Sequence, residues 1–154
     1  MITGAVNSGK TTQLLKLYNA GRQGEGFALP KYYINGNYAG QKIVRLSNGD
    51  STIFSLTESY IPAHWQEEFH YKNYSFSLEG MHFANHISDD IIMNNLNPVF
   101  IDEIGPLEIQ KKGFYSITCK MIAYQKDLFL TVRSACIQDI ISLFDIKLCR
   151  LIQV

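Results

Sequence analysis

The sequence has no net charge and no long hydrophobic run, and each absence excludes a class of protein. Lysine plus arginine and aspartate plus glutamate both number 14, so the formal net charge is zero. Duplex nucleic-acid binders usually have a basic surface, so no clear nucleic-acid surface is expected. No apolar run approaches the roughly 18 residues of a membrane span, and no secretory signal precedes the first motif. We therefore expect a cytoplasmic protein without a membrane partner.

The cysteines are too few and too scattered for a disulfide framework. Cys119, Cys136 and Cys149 are odd in number, and none forms a C-x-x-C pair. This usage predicts reduced, buried thiols. With 46% apolar residues in 154, the chain can instead bury a hydrophobic core, and its length predicts a single domain over residues 1–154.

Short apolar strands alternate with amphipathic helices along most of the chain. The pattern predicts strands over residues 27–29, 99–101, 128–132 and 148–152. It also predicts four helices. One follows the first motif and ends at Gly21, two span residues 78–95 and 114–124, and the last begins at Ser134 as its capping residue. Such alternation is typical of an α/β domain with a mainly parallel sheet flanked by helices.

One region departs from this alternation. Asn35-Gly36 lies between the strand-like segments 32–34 and 38–46, and Asn48-Gly49 precedes another at 51–56. Asn-Gly pairs favour tight turns between antiparallel strands, which predicts an antiparallel β-meander inserted around residues 27–56. The aromatic segment 60–76 that follows fits no clear pattern. Its rings are compatible with stacking on a nucleobase or on single-stranded nucleic acid, although packing beneath a loop is the commoner role.

Residues 4–11 read G-A-V-N-S-G-K-T, a complete G-x-x-x-x-G-K-T phosphate-binding loop, or P-loop. Glycines let the backbone N–H groups surround a phosphate chain, and the following helix directs its N-terminus at the same anion. Lys10 is predicted to reach the β- and γ-phosphates, and Thr11 to ligate Mg²⁺. Only three residues precede the loop, so its strand is either very short or curtailed. The predicted nucleotide-binding residues are Gly4, Ala5, Val6, Asn7, Ser8, Gly9, Lys10, Thr11 and Thr12.

The segment P-V-F-I-D-E at 98–103 places two carboxylates after an apolar strand. Ligands of α/β sheets bind at the carboxyl ends of the strands, so Asp102 is predicted to hold Mg²⁺, directly or through water. Glu103 points to a different side, where it can orient a water for attack on the γ-phosphate. An Asp-Glu pair alone is weak evidence, and it gains weight from the P-loop earlier in the chain.

A catalytic glutamate directly after the aspartate implies another strand between the P-loop strand and the Asp102 strand. The segment 128–132 is the natural candidate, and Arg133 follows it. There Arg133 can sense or stabilise charge near the γ-phosphate. An arginine that ends a strand in solvent is an equally good interpretation of the same position.

The stretch I-D-E-I-G-P-L-E at 101–108 resembles the THEP-type nucleoside-triphosphatase family. Gly26-Phe27, Gly113-Phe114 and the glycine-punctuated meander extend the resemblance over most of the chain. It implies a RecA-like P-loop core and Mg²⁺-dependent hydrolysis of ATP, GTP and other NTPs with broad base tolerance. Many relatives carry an acidic residue and an arginine where this chain has Pro30-Lys31-Tyr32.

The same resemblance identifies individual site residues. Lys10, Thr11, Asp102 and Glu103 occupy the family's motif positions, and Arg133 resembles a strand-end arginine of the bacterial members. Lys10, Glu103 and Arg133 are accordingly the predicted catalytic residues, and Thr11 and Asp102 the predicted Mg²⁺ ligands.

Two other functions are compatible with these motifs. A small-molecule kinase would use the same loop, but such enzymes usually shield the phosphate with lid arginines, and this chain has four scattered arginines. A nucleotide-dependent adaptor would bind the nucleotide with little turnover.

Overall fold

The helices and strands alternate largely as the sequence predicts. The computed structural model describes residues 1–21 and 23–154. Along the described chain the elements are β1 (Ile2–Gly4), α1 (Lys10–Gly21), β2 (Glu25–Ala28), β3 (Lys31–Ile34), β4 (Asn37–Arg45), β5 (Ser51–Thr57), β6 (Glu67–Tyr71), β7 (Tyr74–Ser77), α2 (Leu78–Met93), β8 (Val99–Ile104), α3 (Pro106–Ile109), α4 (Tyr115–Ala123), β9 (Leu128–Arg133), α5 (Ile137–Leu143) and β10 (Ile152–Gln153).

The strands form one mixed sheet in the order β10-β1-β9-β8-β2-β4-β5-β7-β6, with β3 paired to β4. The strands from β10 to β2 run parallel, and the remaining pairs are antiparallel. The predicted α/β architecture is therefore confirmed. The predicted position of β9 between the P-loop strand β1 and the acidic strand β8 is also confirmed.

Side chains of the central strands alternate between two hydrophobic clusters, one on each face of the sheet. Ile2, Ala28 and Phe100 pack with Leu14 of α1 in the smaller cluster. Neighbouring residues such as Phe27 and Ile101 turn the other way, into the larger cluster that includes residues of α2, α4 and α5. Both faces of the parallel strands are thus covered, which leaves their carboxyl ends as the accessible edge.

Gly26 brings β2 unusually close to β8. Its φ is +155°, and a Cβ at this position would overlap the carbonyl oxygen of Phe100. Only glycine tolerates both the positive φ and the close contact with the neighbouring strand. The close pairing places Leu29, just after β2, beside the carboxylate of Asp102.

Four predictions need correction. The antiparallel part of the sheet extends past residue 56, because segment 60–76 contains most of the β6–β7 hairpin. Ser134 makes no capping hydrogen bond and instead begins a 3-10 turn that precedes α5. The last strand has two residues, since residues 147–151 form no regular structure. All three cysteines are free, but only Cys136 is buried and Cys149 is exposed.

The helices of the described residues include none that is long and apolar enough to cross a bilayer.

Candidate active site

The P-loop connects β1 to α1 and is shaped by two residues with left-handed backbone. Asn7 has a φ of +63° and Gly9 a φ of +93°, and the Ser8 N–H donates to the Ala5 carbonyl oxygen at 3.3 Å. Successive N–H groups in such a turn point into a concavity that favours anions. Gly4 closes β1, where a Cβ would overlap Ser8 Oγ. The sequence pattern and the loop conformation therefore agree.

Lys10 is the first residue of α1 and is buried. Its Nζ donates to the carbonyl oxygens of Ala5 at 2.7 Å and Gly4 at 3.3 Å. The ammonium group thus braces the loop from inside while still lining the groove beside it. Thr11, in the first helical turn, lines the same groove.

Asp102 is fully buried at the carboxyl end of β8. Its Oδ2 accepts a hydrogen bond from the Leu29 N–H at 3.0 Å. Its Oδ1 accepts from the Thr131 hydroxyl at 2.6 Å and from the Glu103 N–H at 3.1 Å. These three donors fix the carboxylate within the fold and bind β2, β8 and β9 together at the site.

Glu103 projects into the groove from a strained backbone. Its φ is +62°, which is uncommon for a residue with a side chain and costs free energy. Thr131 Oγ1 accepts the Glu103 N–H at 2.7 Å and so helps to hold this conformation. Burial raises the pKa of Glu103, as does the nearby Asp102, while Arg133 and Lys10 oppose the rise. The side chain is 30% exposed, so it can meet both solvent and a bound phosphate.

Arg133 ends β9 directly beside the P-loop, because it pairs with Gly4 in the β1–β9 register. Its guanidinium is 3.9 Å from Glu103 Oε2. The side chain is exposed and lines the groove. The sheet therefore brings Arg133 beside both the P-loop and the acidic pair.

Thr131 is a site residue that motif reasoning missed. It is the only hydrogen-bonding side chain among the first five residues of β9, and it is fully buried. Its hydroxyl donates to Asp102 and accepts from Glu103, so it bridges the two acidic residues. A hydroxyl within an otherwise apolar strand was the available signal, since a buried polar group needs a partner.

Glu108 fixes the segment that follows the acidic pair. Its Oε2 accepts the Gly105 N–H at 2.7 Å, and its Oε1 accepts the Phe114 N–H at 2.8 Å. One buried carboxyl group therefore ties both ends of residues 105–114. Burial raises the pKa of Glu108 to about 7, against the opposing effect of the two N–H donors.

We expect the wild-type protein to lose stability relative to Glu108→Gln as the pH rises from about 4.5 to about 7. The pKa of Glu108 in the folded chain lies above the 4.5 of a free glutamate side chain, so between these two pH values the folded chain keeps a proton that the unfolded chain releases. The contribution of Glu108 to the free energy of unfolding is complete below its pKa in the unfolded chain, and it is lost as the pH rises through its pKa in the folded chain. The total loss in the free energy of unfolding is on the order of 3 kcal/mol. Urea unfolding of the wild type and of Glu108→Gln at pH 5 and pH 8 measures this loss, with the exposed Glu68→Gln as control. If the difference in stability between wild type and Glu108→Gln were the same at both pH values, the prediction would be contradicted.

A groove of about 810 Å³ connects these parts. It brings together the P-loop residues 6–9, Lys10, Thr11, Thr12, Glu103 and Arg133, whereas Gly4, Ala5 and Asp102 lie outside its lining. Its other part, here called the aromatic half, is lined chiefly by Tyr38, Phe54, Tyr71, Tyr74, Phe76 and Phe114. Tyr71 and Tyr74 are thus the members of the aromatic segment 60–76 that face the site together with Phe76.

The donor set suits Mg²⁺ held mainly by its substrate. Among the described residues, no three His, Cys, Asp or Glu side chains come together as a metal cluster. Mg²⁺ usually keeps several waters and takes one or two protein ligands beside the phosphates of a nucleotide. The Thr11 hydroxyl in the groove fits a direct ligand of this kind. Asp102 is fully buried, lies outside the groove lining and accepts three protein hydrogen bonds, so its contact with Mg²⁺ stays a prediction.

Comparisons with known proteins agree with this geometry. A family model described as NTPase matches residues 1–153. The proteins named nucleoside-triphosphatase THEP1 from Thermotoga petrophila and Thermotoga sp. (strain RQ2) are each 26% identical over 135 residues, which is 88% of this chain and 72% and 74% of theirs. The solution structure of a human cancer-related nucleoside triphosphatase has a TM-score of 0.68 at 19% identity, over 99% of this chain and 86% of that chain. That last likeness shows a shared fold.

Proposed function

The chain belongs to the NTPase family whose model spans residues 1–153 and is an NTP-hydrolysing enzyme, and we propose that it converts NTPs to NDPs and phosphate in a Mg²⁺-dependent reaction. The observation that carries the proposal is the groove that places Lys10 of the P-loop and Glu103 on one surface. The free thiols agree with a cytoplasmic location.

Each catalytic group has a separate task in this proposal. The loop N–H groups and Lys10 bind the β- and γ-phosphates. Glu103 orients the attacking water and accepts its proton, and burial, which raises its pKa, makes it a stronger base than an exposed carboxylate. Arg133 lies where negative charge develops on the γ-phosphate and stabilises it.

Mg²⁺ would be held by the phosphates, the Thr11 hydroxyl and, through water, Asp102. When bound, it supplies positive charge to the phosphate oxygens. Asp102 contributes in a second way that needs no metal, because its hydrogen bonds hold the backbone of Glu103 and Leu29 in place.

Lys10→Ala should weaken the binding of Mg·NTP at least tenfold, or roughly 1.4 kcal/mol. The substitution removes a buried ammonium group that pairs with the β- and γ-phosphates, where charge-assisted contacts are strong. Calorimetric titration with a non-hydrolysable NTP analogue measures the change. Lys16→Ala, an exposed lysine on the same helix, is the matched control. Unchanged affinity in Lys10→Ala would refute the assignment of the P-loop.

We expect the protein to turn over ATP, GTP, CTP and UTP with less than about a hundredfold difference in kcat/KM, or roughly 2.7 kcal/mol. A P-loop contacts phosphates and not bases, so the loop itself does not select one base over another. Turnover of the four NTPs with Mg²⁺ and with excess EDTA tests base tolerance and metal dependence together. Undiminished turnover in EDTA would contradict the metal dependence.

A further inference from the structure

The strand order separates the aromatic half of the groove from the nucleoside of a bound triphosphate. β1 carries the P-loop and β8 carries Glu103, while β4, β5 and β7 lie beyond β8 and β2 in the sheet. These outer strands supply Tyr38, Phe54 and Tyr74 of the aromatic half. Under the proposed function Glu103 serves the γ-phosphate, so the phosphate chain directs its γ end toward β8 and its nucleoside end away. The aromatic half therefore begins where the triphosphate ends.

The lining of the aromatic half suits a flat ring. Phe54, Phe76 and Phe114 form its apolar floor, where they pack against one another with centroids 4.9 and 5.4 Å apart and are at most 6% exposed. The ring faces left for a ligand are therefore those of the tyrosines. Tyr38 and Tyr74 form a second, partly exposed pair with centroids 6.5 Å apart. Aromatic side chains at such sites stack on a nucleobase whatever its identity. Hydrolysis alone needs room for one water, so this apolar volume is unexplained by the proposed function.

Two lysines give the same half a positive rim. Lys31 and Lys72 are exposed residues that line the groove, and the Lys72 ammonium group lies 5.5 Å from the centroid of the Tyr71 ring. Lysine ammonium groups bind phosphate through charge-assisted hydrogen bonds. The formal net charge of zero and the buried phenylalanine lining favour a small anion over a nucleic-acid strand.

We propose that the aromatic half binds a second small molecule, a nucleoside monophosphate, next to the γ-phosphate of the bound triphosphate. Its base stacks on Tyr38 and Tyr74, and its phosphate contacts Lys31 and Lys72. The proposal rests on the proposed function, because the orientation of the triphosphate follows from the role of Glu103. It makes the groove a site for two nucleotides rather than one.

The test is calorimetric titration of the protein saturated with Mg²⁺ and β,γ-imido-ATP, using AMP, CMP, GMP and UMP in turn as probes. We expect one equivalent of monophosphate to bind with a Kd below about 1 mM. Lys72→Gln, an exposed substitution that does not threaten folding, should weaken binding at least threefold, and Tyr74→Ala at least tenfold. Tyr124→Ala, an exposed tyrosine after α4 and outside the groove lining, should leave the Kd unchanged.

The contrary outcomes are distinct. Monophosphate binding that disappears once β,γ-imido-ATP is bound would show that both nucleotides use one base site, and would overturn the proposal. So would the absence of binding to a protein that hydrolyses ATP normally, or much tighter binding of an oligonucleotide than of UMP. Failure of the proposed function would be recognised separately, as the absence of ATP turnover or wild-type turnover in Glu103→Gln, whatever the monophosphates do.

Discussion

Glu103→Gln should lower kcat by about 10²- to 10⁴-fold while leaving the affinity for Mg·NTP nearly unchanged. This loss corresponds to roughly 3 to 5 kcal/mol of transition-state stabilisation. Glutamine keeps the size of the side chain and an acceptor oxygen but cannot take the proton of the attacking water. A ground-state phosphate gains little from a nearby carboxylate, so binding is retained. Loss of kcat with retained affinity is the signature of an interaction made in the transition state.

Single-turnover hydrolysis and a binding titration on the same variant measure both quantities. Gln at position 103 experiences the same left-handed backbone as Glu, so the comparison is free of a change in strain. Glu68→Gln, an exposed substitution away from the groove, is the control. Hydrolysis by Glu103→Gln at the wild-type rate would remove this residue from the mechanism.

The pH profile provides an independent test of the same assignment. A general base must be ionised to act, and burial together with Asp102 raises the pKa of Glu103. The kcat of the wild type should therefore fall as the pH drops through that raised pKa. Glu103→Gln has no such group, so its residual activity should lack this acidic limb.

Asp102→Asn should weaken both the fold and the metal-dependent reaction. The two carboxylate oxygens accept from the Leu29 N–H, the Thr131 hydroxyl and the Glu103 N–H. An amide NH₂ at the Oδ2 position leaves the Leu29 N–H without an acceptor. At the Oδ1 position it removes the acceptor of the Thr131 hydroxyl, whereas the Glu103 N–H keeps Thr131 Oγ1 as its acceptor. We expect a loss of about 1 to 3 kcal/mol in the free energy of unfolding and a roughly 10- to 100-fold weaker apparent affinity for Mg²⁺.

Urea unfolding without nucleotide measures the first effect, and turnover as a function of Mg²⁺ concentration measures the second. Asp139→Asn, an exposed aspartate on α5, is the matched control. Full stability in Asp102→Asn would mean that the three donors find other acceptors. Unchanged Mg²⁺ dependence would mean that Asp102 serves the fold alone.

The parts of the candidate site whose place in the fold the sequence predicts are those encoded within a few neighbouring residues. The P-loop needs residues 4–11 alone, and the acidic pair needs only an apolar strand before it, because the parallel sheet itself brings the strand ends to one edge. The position of β9 followed from the adjacency of Asp102 and Glu103. Each of these features is encoded by neighbouring residues, so no knowledge of distant contacts is needed to predict it.

The features that were missed depend on partners far apart in the sequence. The bridge from Thr131 to Asp102 and Glu103 forms only once β9 lies against β8, and the Leu29 N–H reaches Asp102 only through the close approach at Gly26. The β6–β7 hairpin was hidden because it turns at Lys72, whose φ is +54°, without a glycine. Lysine gives no turn signal in a sequence, since left-handed backbone is unusual for it.

The pairing of β1 has a consequence for how the protein is made. Although β1 (Ile2–Gly4) is translated before the other strands described here, its parallel partners are β9 and β10, more than 120 residues later in the chain. A three-residue strand has no stability of its own, and contacts this distant in the chain form late. The P-loop should therefore gain its shape only after β9 has left the ribosome. Nascent chains arrested before β9 should show no protection by nucleotide against proteolysis, even with β2 to β8 complete.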